Sequence, residues 1–253
     1  KKINDTKYLR LIKKLKCPII SMDFVSAEVT KISINILLIS TAMTSNFLSS
    51  IGEKVGFDWD MITKSLQYDK RIGKYAYLKP SLGLAGGNLE RDLNTLKVLC
   101  KKIKVNSSLI SSWHKVSNER KLWIKKKLLT LKKYISIKNI SILGLSYKEN
   151  TNSIKNSNAL LTINSFKKTN FFAYDPVVEQ NQIKDYKNIR LLSIEKCLKS
   201  SKIIIIASPW REFLVFLKKN KHLLKNKILI DPHNITVGIK GVKYEKKFSL
   251  GRK

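Results

Sequence analysis

One apolar pattern extends through residues 24–55. Between Phe24 and Val55 the apolar residues keep the three-to-four spacing of a helix rather than the alternation of a strand. The stretch contains no proline, and its first glycine is Gly52, so a single uninterrupted helix is predicted. Ser26 is a suitable N-cap for it. The positions that carry the pattern are Val29, Ile32, Leu37, Ile39, Met43, Phe47, Leu48 and Ile51.

Three polar side chains are set into this helix. Lys31 and Asn35 are four residues apart, so they project from the same face, one turn apart. Asn46 lies about 60° further round at 3.6 residues per turn. An ammonium and two carboxamides are costly to bury without partners. They are therefore either satisfied structurally or line a site, and a structural role is the simpler explanation for any one alone.

From Ile135 onward, short apolar runs alternate with helical segments. Such alternation predicts βαβ units around a buried parallel sheet, whose ligands bind at the carboxyl ends of the strands. The predicted fold class is α/β, with a helical central domain followed by a Rossmann-like doubly wound sheet. The runs are Ile140–Leu145, Ala159–Lys167, Phe171–Tyr174, Ile194–Leu198, Ile203–Ala207, Trp210–Lys218 and Ile228–Ile230.

A glycine-rich loop, residues 80–87, leads directly into another predicted helix, Leu89–Ile103. Backbone N–H groups at such a junction can hold an anion, although many junctions contain glycine for turn geometry alone. The turn after the first strand lacks the dinucleotide fingerprint, because no glycine follows Gly144 within it. Lys148 in that turn is an alternative nucleotide ligand. Asp175, after the second strand, is a weak ribose-binding candidate.

The other segments complete the predicted organisation. Residues 1–23 resemble the tail of a preceding domain, with a basic helix and a short strand at Pro18–Met22, and we interpret the chain as part of something longer. A helical domain is predicted at 24–134 and the sheet domain at 135–253. Within the helical domain, further helices are predicted at Asp58–Ser65 and 107–134.

Composition excludes some function classes. Lys+Arg 50 against Asp+Glu 18 gives a formal net charge of +32, which is typical of nucleic-acid-binding proteins. The basic residues are nevertheless spread along the chain, without an aromatic-interleaved basic patch. Lys, Asn and Ile each have codons made only of A and T, so drift in an AT-rich genome is the simpler explanation. No nucleic-acid partner is predicted.

Cysteine and histidine usage argues against metal and disulfide sites. Cys17, Cys100 and Cys197 are scattered and form no CxxC pair, and only three histidines are present. The apolar run Ile32–Leu48 is too short and too polar to span a bilayer comfortably, and no signal peptide is evident. We therefore predict a cytoplasmic protein with no metal and no membrane association.

Seven short motifs, taken in order, resemble the UDP-glucose/GDP-mannose dehydrogenase family. They are SAEVTKISIN, DKRIG, PSLGLAGGNLERD, GLSYKENTNSIKNS, YDP, SPWREF and IDPHN. The resemblance implies a central domain at 24–134 that forms a homodimer through the long helix, and a C-terminal nucleotide-sugar-binding domain at 135–253. It also implies NAD as cofactor, bound mainly by an N-terminal domain that would precede this stretch.

The resemblance implies four catalytic positions: Lys31, Asn35 and Asp92, which match the family, and Asn88, which stands at the cysteine position. Lys31 matches a lysine that stabilises negative charge on the substrate oxygen. Asn35 matches an asparagine that helps to hold that oxygen or a water. Asp92 matches an acid that orients or deprotonates water.

Five further positions match residues that contact the nucleotide sugar. Arg71 resembles an arginine that reaches the substrate from the neighbouring subunit, and Tyr77 resembles a tyrosine in a loop that covers it. Gly83 and Gly86 belong to the glycine-rich motif, and Lys148 matches the lysine after the first strand of the nucleotide domain.

The chain departs from the family pattern at several positions, including Leu84, Ala85, Gly87 and Glu90, and three further departures affect the expected chemistry. Ungapped alignment of the glycine-rich motif places Asn88 where the family has its nucleophilic cysteine. Asparagine can hydrogen-bond but cannot form a thioester. Lys155, assigned here to cofactor binding, and His233 both stand where arginine is common, and an ammonium does not replace a bidentate guanidinium.

These observations favour an NAD-dependent oxidoreductase that acts on a CH–OH group of a UDP- or GDP-linked sugar without the cysteine thioester route. The 253-residue chain alone is expected to be inactive. The alternative is a catalytically degenerate relative that still binds sugar nucleotides, and a basic nucleic-acid-binding module is the third.

Overall fold

The long helix has the bounds that the sequence predicts. In the computed structural model, which describes residues 7–252, a short helix α1 (Lys7–Lys13) precedes α2 (Phe24–Val55). The predicted cap is wrong: Asp23, not Ser26, is the N-cap, and its Oδ1 accepts the Ser26 N–H at 2.9 Å. The carboxylate of Asp23 lies one turn earlier, outside the apolar pattern, where its extended backbone suits a cap.

The strand predicted at Pro18–Met22 does not form. This stretch is irregular and pairs with no strand among the described residues. A strand needs a neighbour to satisfy its backbone groups, and all the sheet lies after residue 138. Residues 1–6, the start of the predicted tail, lie outside the described residues.

Four further helices complete the helical half. They are α3 (Trp59–Leu66), α4 (Asn88–Lys102), α5 (Ser108–Lys121) and α6 (Trp123–Lys132). Asp58 caps α3, as the sequence predicts. The second half of α2 packs against α4 and α5 around Ile39, Met43 and Leu93. By length and composition alone α2 could span a bilayer, but this half of it forms a protein core.

The sheet is parallel throughout and doubly wound, which confirms the predicted fold class. Its strand order is β3-β2-β1-β4-β5-β6, so the winding reverses between β1 and β4. The strands are β1 (Asn139–Leu143), β2 (Asn170–Tyr174), β3 (Ile189–Leu191), β4 (Ile203–Ile206), β5 (Ile228–Ile230) and β6 (Lys246–Phe248). The intervening helices are α7 (Asn158–Ser165), α8 (Ile194–Lys199) and α9 (Arg211–Lys219).

Both faces of the sheet are covered. Ile203 and Ile205 of β4 face a core that includes α6 and α7, whereas Ile204 and Ile206 face α8 and α9. The edge strands β3 and β6 are not among the predicted runs, because each has only three residues, lies beside charged residues and is too short to show a pattern.

A buried polar network explains one polar side chain of α2. The Asn46 Oδ1 accepts the Ser81 N–H at 2.7 Å, and the Asn46 carbonyl accepts two bonds from the buried Arg120 guanidinium. Arg120 also pairs with Glu53 at 2.6 Å, and Glu53 accepts the Gly251 N–H at 3.1 Å. Asn46 is therefore structural: it anchors the start of the glycine-rich loop to α2.

Candidate active site

The other two polar side chains of α2 meet a carboxylate of α4. Asn35 Nδ2 donates to Asp92 Oδ2 at 2.5 Å, and Lys31 Nζ lies 3.5 Å from Asn35 Oδ1. Arg91 Nε donates to Asp92 Oδ1 at 3.0 Å. Lys31 is exposed, Asn35 is half-buried and Asp92 is buried. The structure thus brings together Lys31, Asn35 and Asp92, three of the four predicted catalytic residues, in a series of contacts that runs from solvent inward.

The cluster keeps Asp92 ionised. The hydrogen bond from Asn35 is the largest cause that lowers the pKa of Asp92, with smaller contributions from Arg91 and Lys31. Burial acts in the opposite direction and is outweighed. Sequence reasoning gave Arg91 no role, although its position next to Asp92 in the motif was a signal.

Asn88 is the first residue of α4, one turn before Asp92, so the two side chains project from the same face. Its side chain is exposed. Cys100 is twelve residues further along α4, about 18 Å by helical rise, and its side chain is buried.

Two glycines shape the loop that places Asn88. Gly83 and Gly86 have φ of +81° and +79°, a region that glycine enters without strain. A Cβ at Gly83 would collide with the Ser117 carbonyl oxygen of α5, and one at Gly86 would lie 2.7 Å from the Tyr147 ring. These glycines therefore allow a close approach of backbone to neighbours, and no contact with a ligand is needed to explain them.

A cavity of about 390 Å³ lies between the Tyr77 loop and the glycine-rich loop. Tyr77 and Gly83 line it, together with Ala42 of α2 and Leu89 of α4. Since Leu89 follows Asn88 directly, the cavity adjoins the first turn of α4. Lys31, Asn35 and Asp92 are not among the residues that line it.

The loop between β1 and α7, residues 144–157, reaches this region from the sheet. The Tyr147 ring packs on Gly86, and the exposed Lys148 Nζ lies 5.6 Å from the centre of that ring. Lys155 is exposed further along the same loop. The structure therefore brings Lys148 close to the glycine-rich loop, at the carboxyl edge of the sheet.

The turn after β1 does not fit a dinucleotide diphosphate. The backbone N–H groups of Leu145 and Ser146 donate to Asp175 Oδ2 at 2.7 and 2.9 Å, and Val177 and Val178 donate to its other oxygen. The groups that would cradle a phosphate are thus already used. The carboxylate of Asp175 thus accepts four backbone N–H groups, and its role as a ribose ligand stays a prediction.

Arg71 and His233 have partners outside the cluster. Arg71 is exposed and pairs with Asp69 at 2.6 Å. His233 follows β5 at the carboxyl edge, with Nε2 3.1 Å from the Ala207 carbonyl oxygen. Burial is the main cause that lowers the pKa of His233.

The fold and the cluster together define a class of two-part proteins: a helical domain that carries a Lys–Asn–Asp cluster, followed by a doubly wound parallel sheet. Comparison with known families assigns the chain within it. The central domain of the UDP-glucose/GDP-mannose dehydrogenase family matches residues 25–119, and the UDP binding domain of the same family matches residues 141–237. The chain belongs to this family.

Its relatives are UDP-glucose 6-dehydrogenases. It is 32% identical over 220 residues to the enzyme of Rickettsia bellii, covering 84% of this chain and 50% of the relative. It is 28% identical over 256 residues to one of Bacillus subtilis, covering 96% and 56%. The chain thus spans about half the length of the curated relatives it matches.

Solved structures agree on the fold. A UDP-glucose dehydrogenase from Pyrobaculum islandicum superimposes with a TM-score of 0.82 at 17% identity, over 97% of this chain and 56% of that chain. A UDP-D-ManNAc dehydrogenase from Pyrococcus horikoshii gives 0.71 at 22% identity, over 90% and 52%.

Proposed function

We propose that this chain is the substrate-binding and catalytic part of an NAD-dependent nucleotide-sugar dehydrogenase that oxidises a sugar CH–OH group once, to a carbonyl. The observation that carries the proposal is the Lys31–Asn35–Asp92 cluster, which lies one helical turn from Asn88, the residue that we propose stands in place of the nucleophile. The family relatives support the substrate class.

The residues of the cluster have distinct roles in this proposal. The ammonium of Lys31 and the amide of Asn35 stabilise negative charge as it develops on the sugar oxygen. Asp92 remains a carboxylate, because the hydrogen bond from Asn35 lowers its pKa. It can therefore accept a proton through a bound water.

Asn88 decides how far the oxidation goes. A second oxidation by the usual route of the family needs a thiolate that adds to the aldehyde. A carboxamide has no comparable nucleophile. The carbonyl compound is therefore the product.

NAD is the hydride acceptor that the family implies. The turn after β1 does not fit it, so the proposal places NAD mainly on a part of the whole protein that this chain does not cover. Lys155 is the residue of this chain proposed to reach it.

The nucleotide sugar lies between the two halves in this proposal. Lys148 holds the nucleotide at the carboxyl edge, and Tyr77, Gly83 and Gly86 border the sugar. Arg71 is exposed on the surface, which supports the proposal that it serves a neighbouring subunit.

A homodimer is proposed through α2. One side of this helix carries an exposed apolar stripe, in which Leu37 is 69% and Phe47 54% exposed. An arc of about 120° around the helix contains Leu37 and Phe47 together with Val25, Val29, Ile51 and Val55. Sedimentation of the wild type and of Leu37→Glu tests this interface, and a wild-type monomer would contradict it.

The test of the function is NADH stoichiometry. The chain, expressed with any upstream segment of its gene, is offered NAD and a panel of UDP- and GDP-sugars. One NADH per sugar is expected, and two with a carboxylate product would refute the single oxidation. Asn88→Cys is the matched variant, and it is expected to raise the yield toward two. UDP-sugars that raise the Tm without any NADH would favour the alternative, a sugar-nucleotide binder without catalysis.

A further inference from the structure

The glycine-rich loop is anchored at three points. Its start is held to α2 by the bond from the Ser81 N–H to Asn46. Its middle is held to α5 by the bond from the Leu84 N–H to Ser117 Oγ, at 2.9 Å. Its end, two residues before Asn88, is held from the other half of the molecule.

That third anchor is Asn156. Its Nδ2 donates to the Gly86 carbonyl oxygen and to Glu90 Oε2, both at 2.8 Å. An amide NH₂ has two hydrogens, so these two bonds use its whole donor capacity. The other Glu90 oxygen accepts from Lys121 of α5. Asn156 thus bridges the loop after β1, the end of the glycine-rich loop and the first turn of α4.

The backbone of Asn156 is part of this arrangement. Its φ is +56°, a left-handed conformation that asparagine tolerates better than most residues. The Tyr147 ring packs on Gly86 from the same loop, and the Tyr147 N–H donates to the Ser153 carbonyl oxygen at 3.0 Å. Two side chains of this internally hydrogen-bonded loop, those of Tyr147 and Asn156, therefore contact Gly86.

This same loop carries Lys148, the residue that is proposed above to bind the nucleotide. The contacts of Asn156 and Tyr147 join this loop to Gly86, and the bond from Asn156 to Glu90 joins it to the start of α4. We propose that Asn156 is a positioning residue: it holds Asn88 and Asp92 in register with the nucleotide-binding half and couples their placement to nucleotide occupancy. The coupling rests on the proposed function, whereas the anchoring of Gly86 does not.

The experiment is hydrogen exchange on the 253-residue chain, followed by mass spectrometry in peptides covering residues 83–92 and 144–157, with and without UDP. Asn156→Gly removes the donors and keeps a backbone that accepts φ of +56°. Asn156→Asp keeps the shape but presents oxygens to the Gly86 carbonyl and to Glu90. Asn150→Gly is the matched control, since Asn150 lies in the same loop with φ of +58°.

Without ligand, both Asn156 variants are expected to exchange about tenfold faster than wild type in residues 83–92, on the scale of one or two lost hydrogen bonds. The Asn150→Gly control should match wild type. With UDP, both peptides of the wild type should slow, whereas in Asn156→Gly only 144–157 should slow. A purely structural contact would not produce this uncoupling.

Two results would overturn the inference: unchanged exchange at 83–92 in both Asn156 variants without ligand, or the full wild-type slowing at 83–92 when UDP binds Asn156→Gly. If UDP slows neither peptide in any protein, the nucleotide site of the proposed function and the coupling both fail. The ligand-free comparison then still decides whether Asn156 anchors the loop.

Discussion

Glu53→Gln tests how much the buried network contributes to stability. Glu53 accepts from Arg120 at 2.6 Å, from Trp123 Nε1 at 2.7 Å and from the Gly251 N–H at 3.1 Å. Glutamine is nearly isosteric, but it removes the charge that compensates the buried Arg120, and its NH₂ group would face one of these donors. Breaking a buried ion pair by removing one partner costs about 3 kcal/mol or more.

For a chain of this size that loss corresponds to a Tm lower by about 6–12 °C, measurable by circular dichroism during heating. The matched control is Glu195→Gln, which breaks the exposed pair between Glu195 and Lys199 on α8. The control should leave the Tm unchanged, because exposed pairs contribute little. Equal melting of the two variants would refute the assignment of the network as a stabilising element.

Three further outcomes are expected. The Asp92 carboxyl should titrate below 3.8, its ordinary pKa. Asn35→Ala should raise the pKa of Asp92 more than Lys31→Met does, since the hydrogen bond from Asn35 is the larger cause of the lowered pKa. Side-chain NMR titration of the variants measures this order, and the reverse order would contradict the assignment. Because the pKa of Asp92 is lowered in the folded state, its contribution to stability is complete above the ordinary value and is lost as the pH falls through the folded value. For cysteine, burial raises the pKa of Cys197 to about 12. Iodoacetamide at pH 8 should therefore label the exposed Cys17 and spare Cys197, as measured by peptide mass spectrometry. Labelling of both cysteines in the native protein would be inconsistent with the packing. Finally, burial lowers the pKa of His233, so the unfolded state binds a proton at this histidine more readily than the folded state does. The free energy of unfolding should therefore fall as the pH drops below about 6.5. Urea midpoints measured across pH 5–8 should depend less on pH in His233→Gln than in wild type, and an identical pH dependence in the two proteins would contradict this.

Local pattern was sufficient for the elements with strong periodicity. The bounds of α2 follow from an unbroken helical spacing without proline, and β4 is a run of four isoleucines that suits burial on both faces. Local pattern failed where an element depends on its neighbours. β3 and β6 are short strands that exist because β2 and β5 offer them free edges, whereas Pro18–Met22 has no such edge and stays irregular.

The polar residues of α2 show the same division. Helical geometry alone placed Lys31 and Asn35 on one face, and the motifs indicated Asp92 as their partner. What the pattern of α2 could not decide is that Asn46 is structural, because its partners Ser81 and Arg120 come from distant segments that only packing brings to it.

The sequence by itself determined the fold class and the family resemblance, since each is a property of local residues in order. The tertiary structure decided which groups meet. The Asp175 carboxylate accepts hydrogen bonds from backbone N–H groups, and the Asn156 side chain donates one to the Gly86 carbonyl oxygen in the other half of the molecule. The physical reason is that hydrogen bonds form between groups that the packed core brings within 3 Å of each other, and local periodicity carries no information about those distances.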